Sequence, residues 1–258
     1  MVGRSIDQEY PKEVAEIGEV RLACKGMNRG AKVKNVDLSV RSGEILGLTG
    51  LVGSGRTETA RILFGADKPE SGKITLDGKA LHLSSPRDAI AAGICLLTED
   101  RKAEGLVLGQ TILENFGLPN LKSFSRYNWI DRDRERSSMV DHGKKLQIKM
   151  TGPDQVVATL SGGNQQKVVL AKWLERNAEV LLFDEPTRGI DVGAKYEIYQ
   201  LMNRLAAQGK AILMISSELP EVLGMSDRIV VMHEGQVKGE ITDVSNATQQ
   251  DIMKIAVG

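Results

Sequence analysis

Two kinds of hydrophobic pattern alternate along the chain. Val20-Leu22-Cys24 and Val36-Leu38-Val40 place apolar residues at every second position, the period of a strand with one buried and one wetted face. The segments 73–76 and 79–83 flank Asp77-Gly78, a pair suited to a two-residue hairpin turn, and extend this antiparallel region. By contrast, 45–49, 94–98, 180–183, 211–215 and 229–232 are short and almost continuously apolar. Strands covered by helices on both faces read this way, so these five are expected to form a parallel sheet. Helical patterns lie between them at 57–64, 86–92, 162–175, 192–207 and 218–223; in the third, Val169, Leu170, Trp173 and Leu174 share one face. The expected fold class is α/β, a mostly parallel core sheet wound by helices with a smaller antiparallel β region.

Residues 107–158 interrupt this rhythm. They are polar, carry Phe116, Phe124, Tyr127 and Trp129, and pattern as helix, so a helical insertion is expected there. The run Asp131-Arg132-Asp133-Arg134-Glu135-Arg136 mixes signs at adjacent positions and reads as a solvated helix face rather than a binding patch. Residues 1–17 are polar and broken by Tyr10-Pro11, which reads as a linker or tail. The rest, 18–258, is expected to be one domain with the helical subdomain inserted in its core. The chain starts Met-Val-Gly-Arg and ends Ala-Val-Gly, as if cut between matching junctions.

Composition narrows the function classes. The 258 residues are 41% hydrophobic and 26% charged, ample for a core, and 34 basic side chains balance 34 acidic ones. A nucleic-acid binder usually carries a basic excess, and four Phe, four Tyr and two Trp are too few for a stacking surface. No nucleic-acid partner is therefore expected. Cys24 and Cys95 are far apart and read as reduced core thiols. No apolar run approaches the roughly 18 residues of a membrane span, and no signal-peptide region opens the chain.

Candidate chemistry begins where the strand 45–49 runs into Gly50-Leu51-Val52-Gly53-Ser54-Gly55-Arg56-Thr57 and then a helix. The spacing is that of a phosphate loop with arginine in the lysine position. Glycines let successive backbone N–H groups wrap a phosphate in front of a helix N-terminus, and Thr57 is placed to ligate Mg²⁺. A plain Gly-rich turn is the competing reading. The apolar strand ending Phe183-Asp184-Glu185 supplies two carboxylates: Asp184 to hold Mg²⁺ through water, Glu185 to polarise an attacking water. Two solvated acids at a strand end would look the same in isolation. A third element, Leu160-Ser161-Gly162-Gly163-Asn164-Gln165-Gln166, opens an amphipathic helix with a hydroxyl and free N–H groups suited to a phosphate. A simple serine N-cap accounts for part of it.

With these three motifs in this order the chain resembles the ATP-binding cassette (ABC) family, from about Val20 onward. The resemblance implies a P-loop NTPase fold with ATP and Mg²⁺ as cofactors. It also implies head-to-tail pairing with a second cassette, in which Ser161, Gly162, Gly163 and Asn164 face the partner's nucleotide. The segment 98–106, the Leu-Ser-Gly-Gly-Asn-Gln-Gln-Lys form of the signature, Glu185 to Gly193 and Ser216 to Val222 together look like the second, C-terminal cassette of ribose-, galactoside- and xylose-type sugar importers. Such a cassette works at the cytoplasmic face of the membrane, with a permease contacted by the insertion and the Glu99 loop. An extracytoplasmic sugar-binding protein is its indirect partner.

Four positions depart from the family pattern. Arg56 replaces the loop lysine, and a planar guanidinium does not fit where a compact ammonium does. Glu99 stands at the glutamine that precedes the insertion, where it could act catalytically or ligate Mg²⁺, and Ser217 at the switch histidine. No aromatic lies between Pro11 and Leu63, where the family stacks adenine. The expectation is a degenerate ATP site in a domain that lends its signature to a partner. A nucleotide sensor without hydrolysis and a non-transport ABC ATPase are the alternatives.

Overall fold

The computed structural model describes residues 10–127 and 129–257. These divide into two compact units: one of 10–96, 179–187 and 192–257, the other of 97–178 and 188–191.

The first unit begins with an antiparallel sheet. β1 (Val20–Arg29) lies between β2 (Val33–Arg41) and β4 (Ser71–Leu76), with β5 (Lys79–Leu81) at the edge. Asp77-Gly78 makes the hairpin turn with both residues at positive φ, as the pair is suited to do. β1 and β2 run longer than the alternating segments suggest, because bulges past Cys24 and Met27 reset the pleat and hide the period of two.

The second sheet carries the buried strands. Its order is β12-β11-β3-β10-β9-β6, with β3 (Ile45–Gly50), β6 (Ile94–Leu97), β9 (Val180–Asp184), β10 (Ala211–Ile215), β11 (Arg228–His233) and β12 (Gln236–Ile241). β11, β3, β10 and β9 are mutually parallel and almost wholly buried, which is why their sequences are continuously apolar. β12 is antiparallel to β11, and its strictly alternating burial suits an edge with one covered face. α1 (Arg56–Leu63) follows β3, α2 (Pro86–Ala91) precedes β6, and α7 (Val192–Ala207) and α8 (Leu219–Met225) flank β10 in sequence. The C-terminal α9 (Gln249–Val257) sets Ile252 and Ala256 against Val222 of α8 and Ile229 and Val231 of β11. Neither α9 nor β12 has a counterpart among the sequence-based elements. Tyr10 is buried against Tyr199, ring centroids 5.5 Å apart, and Lys12 pairs with Asp227 at 2.9 Å, so residues 10–12 are seated on this unit, while 1–9 of the expected linker lie outside the described residues.

The second unit is mostly helical: α3 (Ile112–Gly117), α4 (Leu121–Phe124), α5 (Arg132–Lys145) and α6 (Gly162–Glu175). It is wider than the insertion expected at 107–158, because α6 buries Val168, Val169, Leu170 and Trp173 and packs on α3 and α5. A two-residue hairpin, β7 (Ser125–Arg126) with β8 (Trp129–Ile130), sits inside the stretch that patterns as helix. Its side chains are mostly exposed, so no burial period marks it in sequence.

Candidate functional site

Three strand ends meet at one edge of the parallel sheet. In register, Leu48 of β3 faces Ile215 of β10, and Ile215 faces Asp184 of β9. The phosphate loop after β3, the carboxylates after β9 and Ser217 after β10 are thereby brought side by side, although they lie far apart in sequence.

The loop is shaped by close backbone approach. A Cβ at Gly50 (φ 149°) would sit 2.1 Å from the Met232 carbonyl oxygen, and one at Gly55 (φ 96°) 2.1 Å from that of Lys32. Only glycine fits either place. Leu51, Val52 and Gly53 are exposed, and the Ser54 N–H donates to the Leu51 carbonyl at 3.0 Å. α1 starts without a side-chain cap, so its first N–H groups remain for a ligand. The Ser54 hydroxyl is buried without a hydrogen-bond partner among the described residues. This cradle fits a phosphate chain. Mg²⁺ commonly takes one or two protein oxygens beside substrate phosphates, which suits half-buried Thr57 at the start of α1 and Asp184, 2% exposed, at the end of β9.

Arg56 is engaged at the base of the loop. It is 9% exposed, and its Nη1 donates to the Ser216 carbonyl at 2.9 Å, an oxygen that also accepts the Thr49 hydroxyl at 3.0 Å. The guanidinium ties the base of the loop to the end of β10. Glu185 has φ 48°, a left-handed conformation that is costly for a non-glycine residue and tends to be held at functional sites. Its N–H donates to the Ile215 carbonyl at 2.9 Å, which fixes the turn on the β10 side. Ser217 is exposed directly beyond buried Ser216.

Beneath these turns lies a group that sequence reasoning did not single out as functional. Glu221, in the first turn of α8, is fully buried and accepts hydrogen bonds from Thr187 and Ser216, with buried Tyr199 of α7 beside it. Burial pushes its carboxyl up, against the pull of the surrounding hydroxyls. An acid in a first helical turn ordinarily reads as a solvated end charge, so only the fold reveals the burial.

The signature residues belong to the second unit. Ser161 is exposed and caps α6, accepting the Asn164 backbone N–H at 3.5 Å and its amide at 2.9 Å. Asn164 accepts in turn from the Lys149 N–H at 2.8 Å. Gly163 is buried, and Gly162 lies under Arg101, whose Nη2 would be 2.5 Å from a Cβ there. Arg101 Nη1 donates to the Arg188 carbonyl at 3.1 Å. No acid occupies the first turn of α6. Glu99 is exposed, and its carboxylate pairs with Arg188 at 3.0 Å within this same unit.

A phosphate cradle on the central strand of a parallel sheet, with a buried aspartate on a nearby strand, defines a P-loop nucleotide-binding fold. Residues 33–188 match the family described as ABC transporter, and the chain belongs to that family. It is 53% identical over its full length to a putative ribose/galactose/methyl galactoside import ATP-binding protein of Rhizobium etli, and 51% identical to the ribose import ATP-binding protein RbsA of Bacillus licheniformis. The chain spans about half of each, 49% and 52% respectively. Its fold is that of an ABC-transporter cassette solved in an ADP conformation, with a TM-score of 0.76 at 21% identity, covering 93% of this chain and all of that one. Among the described residues no helix is long and apolar enough to cross a membrane.

Proposed function

We propose that this chain is a nucleotide-binding cassette of a sugar importer, corresponding to the second cassette of a tandem protein. The reading rests on one observation above all: the phosphate cradle and the exposed Ser161 cap occur in one chain that is about half identical to sugar-import ATP-binding proteins over its full length. The cradle N–H groups and Thr57 would hold an ATP–Mg²⁺ complex with Asp184, and Glu185 would orient the attacking water. When bound, the metal would neutralise charge on the phosphates. The open N-terminus of α6, with Ser161 to Asn164, would face the nucleotide of a partner cassette. The permease would be met by the insertion, 107–158, and the Glu99 loop.

The domain's own site is weak on this reading. Arg56 is spent on the Ser216 carbonyl instead of reaching into the loop, and Ser217 is too short to act as a histidine would. Losing one transition-state donor costs roughly 10²–10³ in rate. Tyr10, the nearest preceding aromatic, is packed on Tyr199 and so engaged away from the role of an adenine platform. Glu99 is engaged by Arg188, which leaves Thr57 and Asp184 as the better metal ligands.

Three measurements test the proposal. Calorimetry with MgADP and MgATP should register binding, and an ATPase assay on this chain should give turnover far below that of the intact tandem protein. Comparable turnover would remove the degenerate-site reading. In the tandem protein, Ser161→Ala should suppress hydrolysis; full activity would remove the donated signature.

A further inference from the structure

Glu221 has no part in the phosphate chemistry described so far, yet it joins both turns that do. Its Oε1 accepts the Thr187 hydroxyl at 2.7 Å, and its Oε2 accepts that of Ser216. The Ser216 hydroxyl in turn accepts the Glu218 N–H at 3.0 Å, and the Tyr199 phenol of α7 completes the cluster. A buried carboxyl is costly, and the Thr187 and Ser216 hydroxyl donors are what makes it tolerable. Its partners are specific in position: Thr187 comes two residues after Glu185, and Ser216 immediately before Ser217.

The end of β10 does not depend on Glu221. The Ser216 N–H bonds the Leu48 carbonyl at 3.3 Å, and its own carbonyl holds Thr49 and Arg56. What Glu221 adds is the direction in which the chain leaves β9 and β10. The Tyr10 ring packs on Tyr199 and lies against α8, close enough that a Cβ at Gly224 would come 2.4 Å from it.

We infer that Glu221 is a positioning residue that sets the Glu185 turn and the Ser217 turn together on the γ-phosphate side of the site. This rests on the nucleotide-binding reading above. Glu221 touches no nucleotide; it acts through Thr187 and Ser216. The phosphate loop is shaped without it, so its loss is felt by a triphosphate and not by a diphosphate.

The test uses the full chain, titrated by calorimetry with MgADP and with the magnesium complex of a non-hydrolysable ATP analogue. Hydrogen exchange without nucleotide is followed in parallel. Glu221→Gln should weaken the triphosphate analogue about fivefold or more while leaving ADP within about twofold, as loss of a net hydrogen bond would. Exchange should rise at 185–188 and 216–218 and stay unchanged in β3. Thr187→Val should reproduce the effect, and Thr187→Ser, which keeps the donor, should bind like the parent. These two variants carry the test if Glu221→Gln does not fold. Equal loss for both nucleotides, or exchange unchanged at the two turns, overturns the inference. Should the parent chain bind neither nucleotide, the nucleotide-binding reading of this loop fails separately and exchange alone decides: a rise confined to the two turns upholds the positioning role, and a uniform rise or none refutes it.

Discussion

At the scale of single residues, the unusual arginine of the phosphate loop behaves as a strut. Removing its donor leaves the buried Ser216 carbonyl with Thr49 alone. Arg56→Met, which fills the volume without a hydrogen bond, should lower the unfolding free energy in urea by about 1.5–3 kcal/mol. An unchanged midpoint would mean that Thr49 suffices. Asp67 is a second residue whose environment makes a measurable claim. Burial alone would raise its carboxyl, but hydrogen bonds from Arg61 and Arg29 outweigh it and hold the group below the usual 3.8. A lowered folded-state value means that the unfolded chain takes up the proton first as pH falls. The stabilisation is therefore complete above the ordinary carboxylate range and lost as pH drops through and below it. Asp67→Asn should flatten that acid limb of a stability-against-pH curve; an identical limb would show that the two arginines contribute nothing.

At the scale of elements, two glycines that lead into helices make opposite predictions. A methyl at Gly55 meets the Lys32 backbone carbonyl and must adopt φ 96°, so neither side can yield. Gly55→Ala should cost about 2 kcal/mol or more in equilibrium unfolding. A methyl at Gly162 meets chiefly the tip of the Arg101 side chain, which can swing away, and approaches the Gly189 carbonyl oxygen at 3.2 Å, where a shift of a few tenths of an ångström relieves it. Gly162→Ala should leave the melting temperature nearly unchanged, and a loss like that at Gly55 would show Arg101 to be held more firmly than its single Nη1 hydrogen bond implies. Ser161→Ala removes the cap of α6 and should cost about 1 kcal/mol, read by the same unfolding assay. The motifs behind these helices were legible in sequence because glycine spacing and strand–loop–helix order are local properties. The hairpin at 125–130 was not: exposed residues carry no burial period, and its aromatic side chains pattern like an amphipathic helix.

At the scale of the whole molecule, both cysteines are buried and neither forms a disulfide. Burial pushes the Cys24 thiol up to about 12, so at mildly alkaline pH it is almost entirely protonated in the native fold. A thiol reagent should modify Cys24 at the rate of opening or unfolding, and rapidly in denaturant; fast labelling of the native protein would contradict this burial. What the sequence alone determined is the set of local chemistries: five apolar strands, a glycine loop, two carboxylates and a serine cap at a helix start. These depend on residue type, spacing and period, which a linear chain displays. The tertiary structure decided where the long side chains end. Arg56 donates to the Ser216 carbonyl, Glu99 pairs with Arg188, and Glu221, which could have been solvated, is buried under Thr187 and Ser216. A flexible side chain has several partners within reach, and only the packing of distant segments around it selects one.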